Sequence, residues 1–265
     1  MPDNPRATSL NAILAVTRSR VAALEGMAGE LARAAAAAPA PRPFPKPGPT
    51  VGIIAEVKRR SPSQGAIRED LDPVAHARAY ERGGAVAVSV LTDEAHFGGS
   101  VDDLRRVAAA AGVPALRKDF VIHEAQIHEA RAAGASAVLL IARVLKAEEL
   151  KALATVVREW EMVPVIEVHA ARELDAAFGA GPSVLGVNAR DLDSFAVDLH
   201  GIEAIIRGLP SGIPVVAESG VETREDVGRL AAAGADFVLV GTSVARQADP
   251  EQAVRALVGV KRVPR

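Results

Sequence analysis

Ionisable and amide side chains recur in this chain directly after short apolar runs. GIIAEVKRRSPSQG, residues 52–65, carries Glu56 and Lys58 at its polar end. ALRKD ends in Lys118 and Asp119, VPVIE in Glu167, VLGVN in Asn188 with Arg190 two residues on, and IPVVAESG in Glu218, Ser219 and Gly220. FVLVGTS closes the series with Gly241 and Thr242. A lysine held in a partly buried place takes a shifted pKa and suits proton transfer. Glu167 and Glu218 are complementary acids or bases, and Asn188 can orient a hydroxyl. Glu56 and Lys58 lie two apart, so on a strand they share a face, while Arg59 points away. Either of ESG and GTS alone is an ordinary turn. In successive units they offer backbone N–H groups and hydroxyls to an anion, and Ser61 and Lys58 can complete that shell. Any one of these residues is as well explained by a stabilising ion pair. Together, so much charge on one rim is poorly explained that way, because burying charge is costly.

The elements that must hold these residues alternate. β-rich runs are expected at 51–57, 87–91, 114–118, 137–141, 163–168, 184–188, 214–218 and 237–241. Amphipathic helical runs are expected at 73–82, 101–111, 124–133, 147–160, 170–180, 201–207, 224–233 and 251–258. Gly-Ala and Gly-Val pairs such as Gly84-Ala85 and Gly234-Ala235 punctuate the helix ends. Eight strand–helix units predict a closed (β/α)8 TIM barrel, an α/β fold whose chemistry sits at the C-terminal ends of the strands. An open doubly wound sheet is the alternative, but no G-x-G-x-x-G follows the first strand.

Residues 1–50 form an expected N-terminal extension before the barrel domain at 51–265. Ser9 is placed to cap a helix beginning LNAILAV, and a proline- and alanine-rich connector follows from 33 to 49. The segment is either a flexible leader or a helix that returns to cover part of the site.

The 265 residues are 49% hydrophobic but only 3% aromatic, so Ala, Val, Leu and Ile must fill the core. Net charge is −2, which gives no electrostatic case for nucleic acid or a membrane surface. There is no cysteine, so neither disulfides nor zinc–thiolate sites are available. No signal peptide or membrane-length apolar run is seen, and a cytoplasmic protein is expected. HEAQIHE, residues 123–129, imitates a zinc-protease helix, but its histidines are five apart rather than four. No metal site is expected. Trp160 and Tyr80 are expected to pack, and His169 to begin a helix or line the mouth.

The stretches IIAEVKRRSPSQG, SVLTDEAHFGGS, LRKDFVI, VIEVH, GVNARDL, VVAESGV and LVGTSV, in this order, resemble the indole-3-glycerol phosphate synthase family. EVK-R-SPS joined to RKDF is the specific part; ESGV and VGTS are shared with other phosphate-binding barrels. The resemblance implies a decarboxylating ring closure of 1-(2-carboxyphenylamino)-1-deoxyribulose 5-phosphate, with no cofactor or metal. It implies Lys118 as general acid and Glu167 as the second acid/base group, chiefly in dehydration. Glu56 and Lys58 would hold and polarise the substrate, and Asn188 and Glu218 would orient its hydroxyl and amine. Arg190 would meet the anthranilate carboxylate. Ser61, Ser219, Gly220, Gly241 and Thr242 would surround the phosphate, and Phe97, Leu139 and Phe195 would wall the aromatic ring. The expected partner is this phosphorylated small molecule, with the chain a monomer. Phosphoribosylanthranilate isomerase and the tryptophan synthase α chain are competing barrels. The first expects a cysteine that is absent here, and the second an acid pair in place of the lysine of RKDF. A barrel that has lost activity and serves as a binding or scaffold protein is the other alternative; it predicts loss of some of Lys58, Lys118, Glu167 and Asn188, and all are present.

Overall fold

The computed structural model describes residues 9–265. Eight parallel strands close on themselves: β1 (Gly52–Val57), β2 (Ala87–Leu91), β3 (Ala115–Lys118), β4 (Ala137–Ile141), β5 (Val163–Val168), β6 (Val184–Asn188), β7 (Val215–Glu218) and β8 (Phe237–Val240). Each pairs with the next, and β8 returns to β1 through Gly52↔Phe237 and Ala55↔Val240. Helices cross over outside, as parallel strands require. The expected TIM barrel is therefore observed, with strand limits within a residue of the sequence reading.

The strands are buried on both faces, which is why they read as continuous apolar runs. Period-2 geometry then separates two cores. On β4, Val138 and Leu140 pack outward under the helices, whereas Ala137, Leu139 and Ile141 fill the interior with Ile54, Val165, Val216 and Phe237. With few aromatics available, the interior relies on branched aliphatics, and Phe237 takes the space that the absent Gly52 side chain leaves.

Helix positions follow the reading with small shifts. The run expected as one helix at 170–180 begins as a 3-10 turn, Ala171–Glu173, and becomes α-helical at Leu174–Gly179. The last helix is shorter than expected, Pro250–Arg255. A two-residue hairpin, Arg60–Ser61 against Gly65–Ala66, and two single-turn helices, Glu94–Phe97 and Thr242–Ala245, are too short for periodicity to announce.

The N-terminal segment is two helices, α1 (Leu10–Glu25) and α2 (Ala28–Ala37), so the extended connector starts at residue 38, not 33. Ser9 caps α1 by accepting the Ala12 N–H. α1 lies over the barrel mouth, where Ile13 and Leu14 join the interior core. Arg20 anchors it, donating to Asp119 Oδ2 at 2.6 Å and to the Thr92 carbonyl at 3.2 Å. Arg131 fixes the following turn by donating to the carbonyls of Pro39 (2.7 Å) and Ala38 (3.1 Å). The covering helix, not the flexible leader, is what forms. Among the described residues no helix is long and apolar enough to cross a membrane.

Candidate active site

The inward residue nearest the C-terminal end of each odd strand is ionisable: Glu56 on β1, Lys118 on β3, Glu167 on β5 and Glu218 on β7. The even strands interleave neutral residues. Ser89 lies beside Glu56, Ile141 and Gly186 flank Glu167, and Leu239 lies beside Glu218. Four side chains from alternate strands make one layer of a barrel interior. Here that layer is charged, and it forms the floor of a cavity of about 380 Å³.

Lys118 stands at the centre of the floor. Its Nζ donates to Glu167 Oε2 at 3.0 Å and lies 3.6 Å from Glu218 Oε2. Burial opposes the ammonium charge, but Glu167, Glu218 and Glu56 outweigh it and raise the lysine pKa. Burial also opposes the charge on Glu167, and there Lys118 and His169 prevail, so this carboxyl titrates well below its usual range. Glu218 goes the other way. Burial and the neighbouring Glu167 charge push it well above the usual range, and neither of its buried oxygens has a hydrogen-bond partner. Around the Lys118 ammonium the floor thus sets Glu167, held toward its ionised form, beside Glu218, held toward its protonated form. Environments that push paired groups apart in pKa separate acid from base.

A second pair sits on β1, with Lys58 Nζ 2.6 Å from Glu56 Oε1. Gly241 makes it possible, because a Cβ there would lie 2.4 Å from that same oxygen. The Asn188 side-chain oxygen accepts the Arg190 N–H at 2.9 Å, tying the end of β6 to the loop beyond it. Arg190 reaches across the mouth, donating to Ser63 Oγ (3.2 Å) and the Phe195 carbonyl (3.0 Å). Burial draws its pKa down, with Glu56 acting in opposition.

Beside this loop, the chain curls at Ser219 (φ 66°) and Gly220 (φ 76°), and a Cβ on Gly220 would meet Val197, the bridge partner of Arg190, at 2.6 Å. Gly241 leads into the turn Thr242–Ala245, whose first N–H groups have no partner within it. Ser61, Ser219, Gly220, Gly241 and Thr242 all border the cavity. Phe97, Leu139 and Phe195 border it as well, and Phe97 lies 6.4 Å from Phe120, ring centre to ring centre.

All fifteen residues singled out by sequence face this one cavity. Sequence reasoning missed Leu10 and Ile13 of α1, Phe120, Leu192, and Ser63 and Gln64 of the hairpin loop. Apolar spacing in α1 signalled a buried face but not what it covers. Phe120 follows RKD directly and could have been found from its place beyond β3. His169 is not on the cavity wall; it is buried behind Glu167. The rejected zinc motif is structural: His123 caps the helix Glu124–Ala132, and His128 meets Trp160 edge-on. Tyr80 is fully buried and donates to the Glu56 carbonyl at 3.3 Å.

A closed (β/α)8 barrel with an ionisable layer at the C-terminal ends of its strands is the architecture of a barrel enzyme. Residues 10–257 match the family model described as indole-3-glycerol phosphate synthase. The chain belongs to the indole-3-glycerol phosphate synthase family, the carboxy-lyases of tryptophan biosynthesis. It is 46% identical over 256 residues to the protein so described from Mycobacterium ulcerans (strain Agy99), covering 95% of this chain and 94% of that one. The protein of the same description from Mycobacterium avium (strain 104) is 47% identical over the same shares. Among solved structures, thiamine phosphate pyrophosphorylase from Pyrococcus furiosus is similar with TM-score 0.58 at 18% identity, covering 78% of this chain and 93% of that one. That likeness shows the barrel fold alone.

Proposed function

We propose that this cavity binds 1-(2-carboxyphenylamino)-1-deoxyribulose 5-phosphate and closes it to indole-3-glycerol phosphate, releasing carbon dioxide and water. The observation that carries the reading is the floor itself. Lys118 is held charged against Glu167, beside a Glu218 whose carboxyl burial pushes up, beneath a mouth with cations and turn N–H groups on its rim. The substrate is anionic at both ends, and the rim offers Lys58 and the Ser219–Gly220 and Gly241–Thr242 turns to the phosphate, with Ser61 beside them. Arg190 takes the anthranilate carboxylate, and Phe97, Leu139 and Phe195 flank the ring.

In the ring closure an aromatic carbon attacks the ribulose carbonyl, and negative charge grows on the carbonyl oxygen. Lys118 donates its proton there, so an N–H bond breaks as an O–H bond forms. Loss of carbon dioxide leaves its bonding electrons in the ring and restores part of the aromatic system. Dehydration then requires one proton to leave the intermediate and one to reach the departing hydroxyl. Glu167, ionised, is the base suited to the first, and Glu218, whose surroundings favour its protonated form, or Lys118 once it has regained a proton from solvent, to the second. Glu56 keeps Lys58 turned into the mouth, and Asn188 orients the substrate hydroxyl.

We further propose that the chain acts as a cytoplasmic monomer. The large exposed apolar side chains among the described residues are scattered: Val16, Met27, Val197 and Val263. Gel filtration with light scattering checks this, and a concentration-independent dimer mass contradicts it.

The test of activity is a fluorescence assay for indole product from the ribulose phosphate substrate, with EDTA present. Product formation supports the reading. No product from folded protein turns the assignment toward a binding or scaffold role.

A further inference from the structure

Behind the reaction floor lies a group that the chemistry above does not use. His169, two residues past Glu167, is buried with a side chain only 3% exposed, and it borders no part of the cavity. Its Nε2 lies 3.1 Å from Glu167 Oε1, the oxygen that Lys118 does not hold. Its Nδ1 faces Glu173 Oε2 at 3.8 Å, and its backbone N–H donates to that oxygen at 2.7 Å. Neither ring nitrogen makes a straight hydrogen bond, so the contacts are ionic. A ring with a carboxylate at each nitrogen is suited only as the imidazolium, since a neutral ring would turn a lone pair toward an anion.

We propose that His169 is a positioning residue whose imidazolium, clamped between Glu167 and Glu173, keeps Glu167 ionised and turned toward Lys118. This rests on the acid/base reading of Glu167. Two cations then hold the two oxygens of one carboxylate, Lys118 from the mouth and His169 from behind. When Lys118 gives its proton to the substrate it becomes neutral, and the mouth-side cation is lost. His169 retains its charge through that step, so Glu167 remains a carboxylate when it must act as base. The surroundings agree. Lys118 from β3, Glu218 from β7 and Glu56 from β1 face the same cluster. On the far side, Glu173 is approached by Arg172 at 4.0 Å and by the field of Arg143, whose guanidinium is itself drawn to Asp191 at 2.9 Å and to Asp193. Burial works against the imidazolium, but Glu167 and Glu173 outweigh it and lift His169 to about 9.

The first test needs no variant. The 15N chemical shifts of the His169 ring in the intact protein, followed against pH, are expected to remain those of an imidazolium through neutrality; a neutral ring at pH 7 overturns the proposal. The second compares His169→Gln, Glu173→Gln and Glu167→Gln in kcat–pH profiles. His169→Gln keeps an N–H but no charge. It should lower kcat about tenfold with KM nearly unchanged, and move the acid limb up by about one pH unit. Glu173→Gln should bring loss of the His169 proton down toward the ordinary value of about 6.5. A purely structural role lowers activity without moving either limb. An acid limb unmoved by His169→Gln yet abolished by Glu167→Gln overturns the clamp alone. A Glu167→Gln variant with the parent's kcat and acid limb overturns the reading of Glu167, and the proposal with it.

Discussion

Arg117 and Lys118 are neighbours on β3 and point to opposite sides of the barrel wall. Both are buried cations facing acids, yet they are built for different ends. Outside, Arg117 has every guanidinium nitrogen engaged. It donates to Thr92 Oγ1 (3.1 Å), the Gln126 carbonyl (2.6 Å), Asp119 Oδ2 (3.0 Å) and Glu129 Oε2 (2.7 Å). Asp119 is shared with Thr92 and with Arg20 of α1. Inside, Lys118 has one hydrogen-bonded partner, and the neighbouring Glu218 has none. A network that holds a fold together leaves few polar groups unpaired. A cluster that must meet a substrate keeps some unpaired until the substrate arrives.

The widest separation is expected from exchanging each cation for an apolar side chain of similar length. Lys118→Met should lower kcat by about 10³-fold, with KM changed a few-fold at most. Its stability should remain within about 1 kcal/mol of the parent, because a reaction site is seldom at its stability optimum. Steady-state fluorescence assays and urea unfolding measure both. A large loss of stability with normal turnover would reverse the assignment of the two faces.

Arg117→Met should do the opposite. It strands Asp119 and Glu129 in the wall, and breaking a buried pair costs about 3–5 kcal/mol. The pH dependence has a definite sign. Burial opposes the Asp119 charge, but Arg117, Arg20 and Thr92 prevail and hold its pKa below the unfolded value. That contribution is present above an unfolded pKa of about 3.9 and is lost as pH falls through the folded value. In Arg117→Met it should be smaller, so the difference in urea stability between variant and parent should shrink between pH 5 and pH 3. A constant difference would show that Arg117 stabilises by packing alone.

Arg190 lies between the two extremes, on the rim. It has two protein acceptors, both weak enough to exchange for a carboxylate. Arg190→Ala should raise KM about tenfold, or about 1.4 kcal/mol, with a smaller loss in kcat and little change in stability. An unchanged KM would remove Arg190 from substrate binding.

The same contrast explains what the sequence could reveal. Inward and outward faces alternate along a strand, so VPVIE and IPVVAE announce both the strand and the acid aimed at the mouth. The odd-strand layer was legible because each ionisable residue ends an apolar run. Its pairing was not: Lys118 meets Glu167 across 49 positions, and the opposite directions in which the two glutamates are shifted depend on burial that no local pattern encodes. Of the outer network the sequence shows only residue types. Asp119 joins Arg20 across 99 positions, and only docking of α1 brings them together. For His169 the sequence leaves both helix start and mouth open, because local spacing cannot distinguish the front of a carboxylate from its back.

Arg20 offers the mildest test of the comparison. Its side chain is 29% exposed, and Asp119 keeps Arg117 and Thr92 when it is removed. Arg20→Ala should therefore cost only about 1 kcal/mol in urea unfolding. The more informative quantity is its coupling to Arg117→Met. If the two arginines neutralise one buried carboxylate, the second loss is worse than the first, because Asp119 then has no cation left. The double variant should be less stable than the sum of the single effects predicts, by about 1 kcal/mol. Strict additivity would mean that the two arginines do not share Asp119 as a common counter-charge, and that Arg20 holds α1 independently of the wall network.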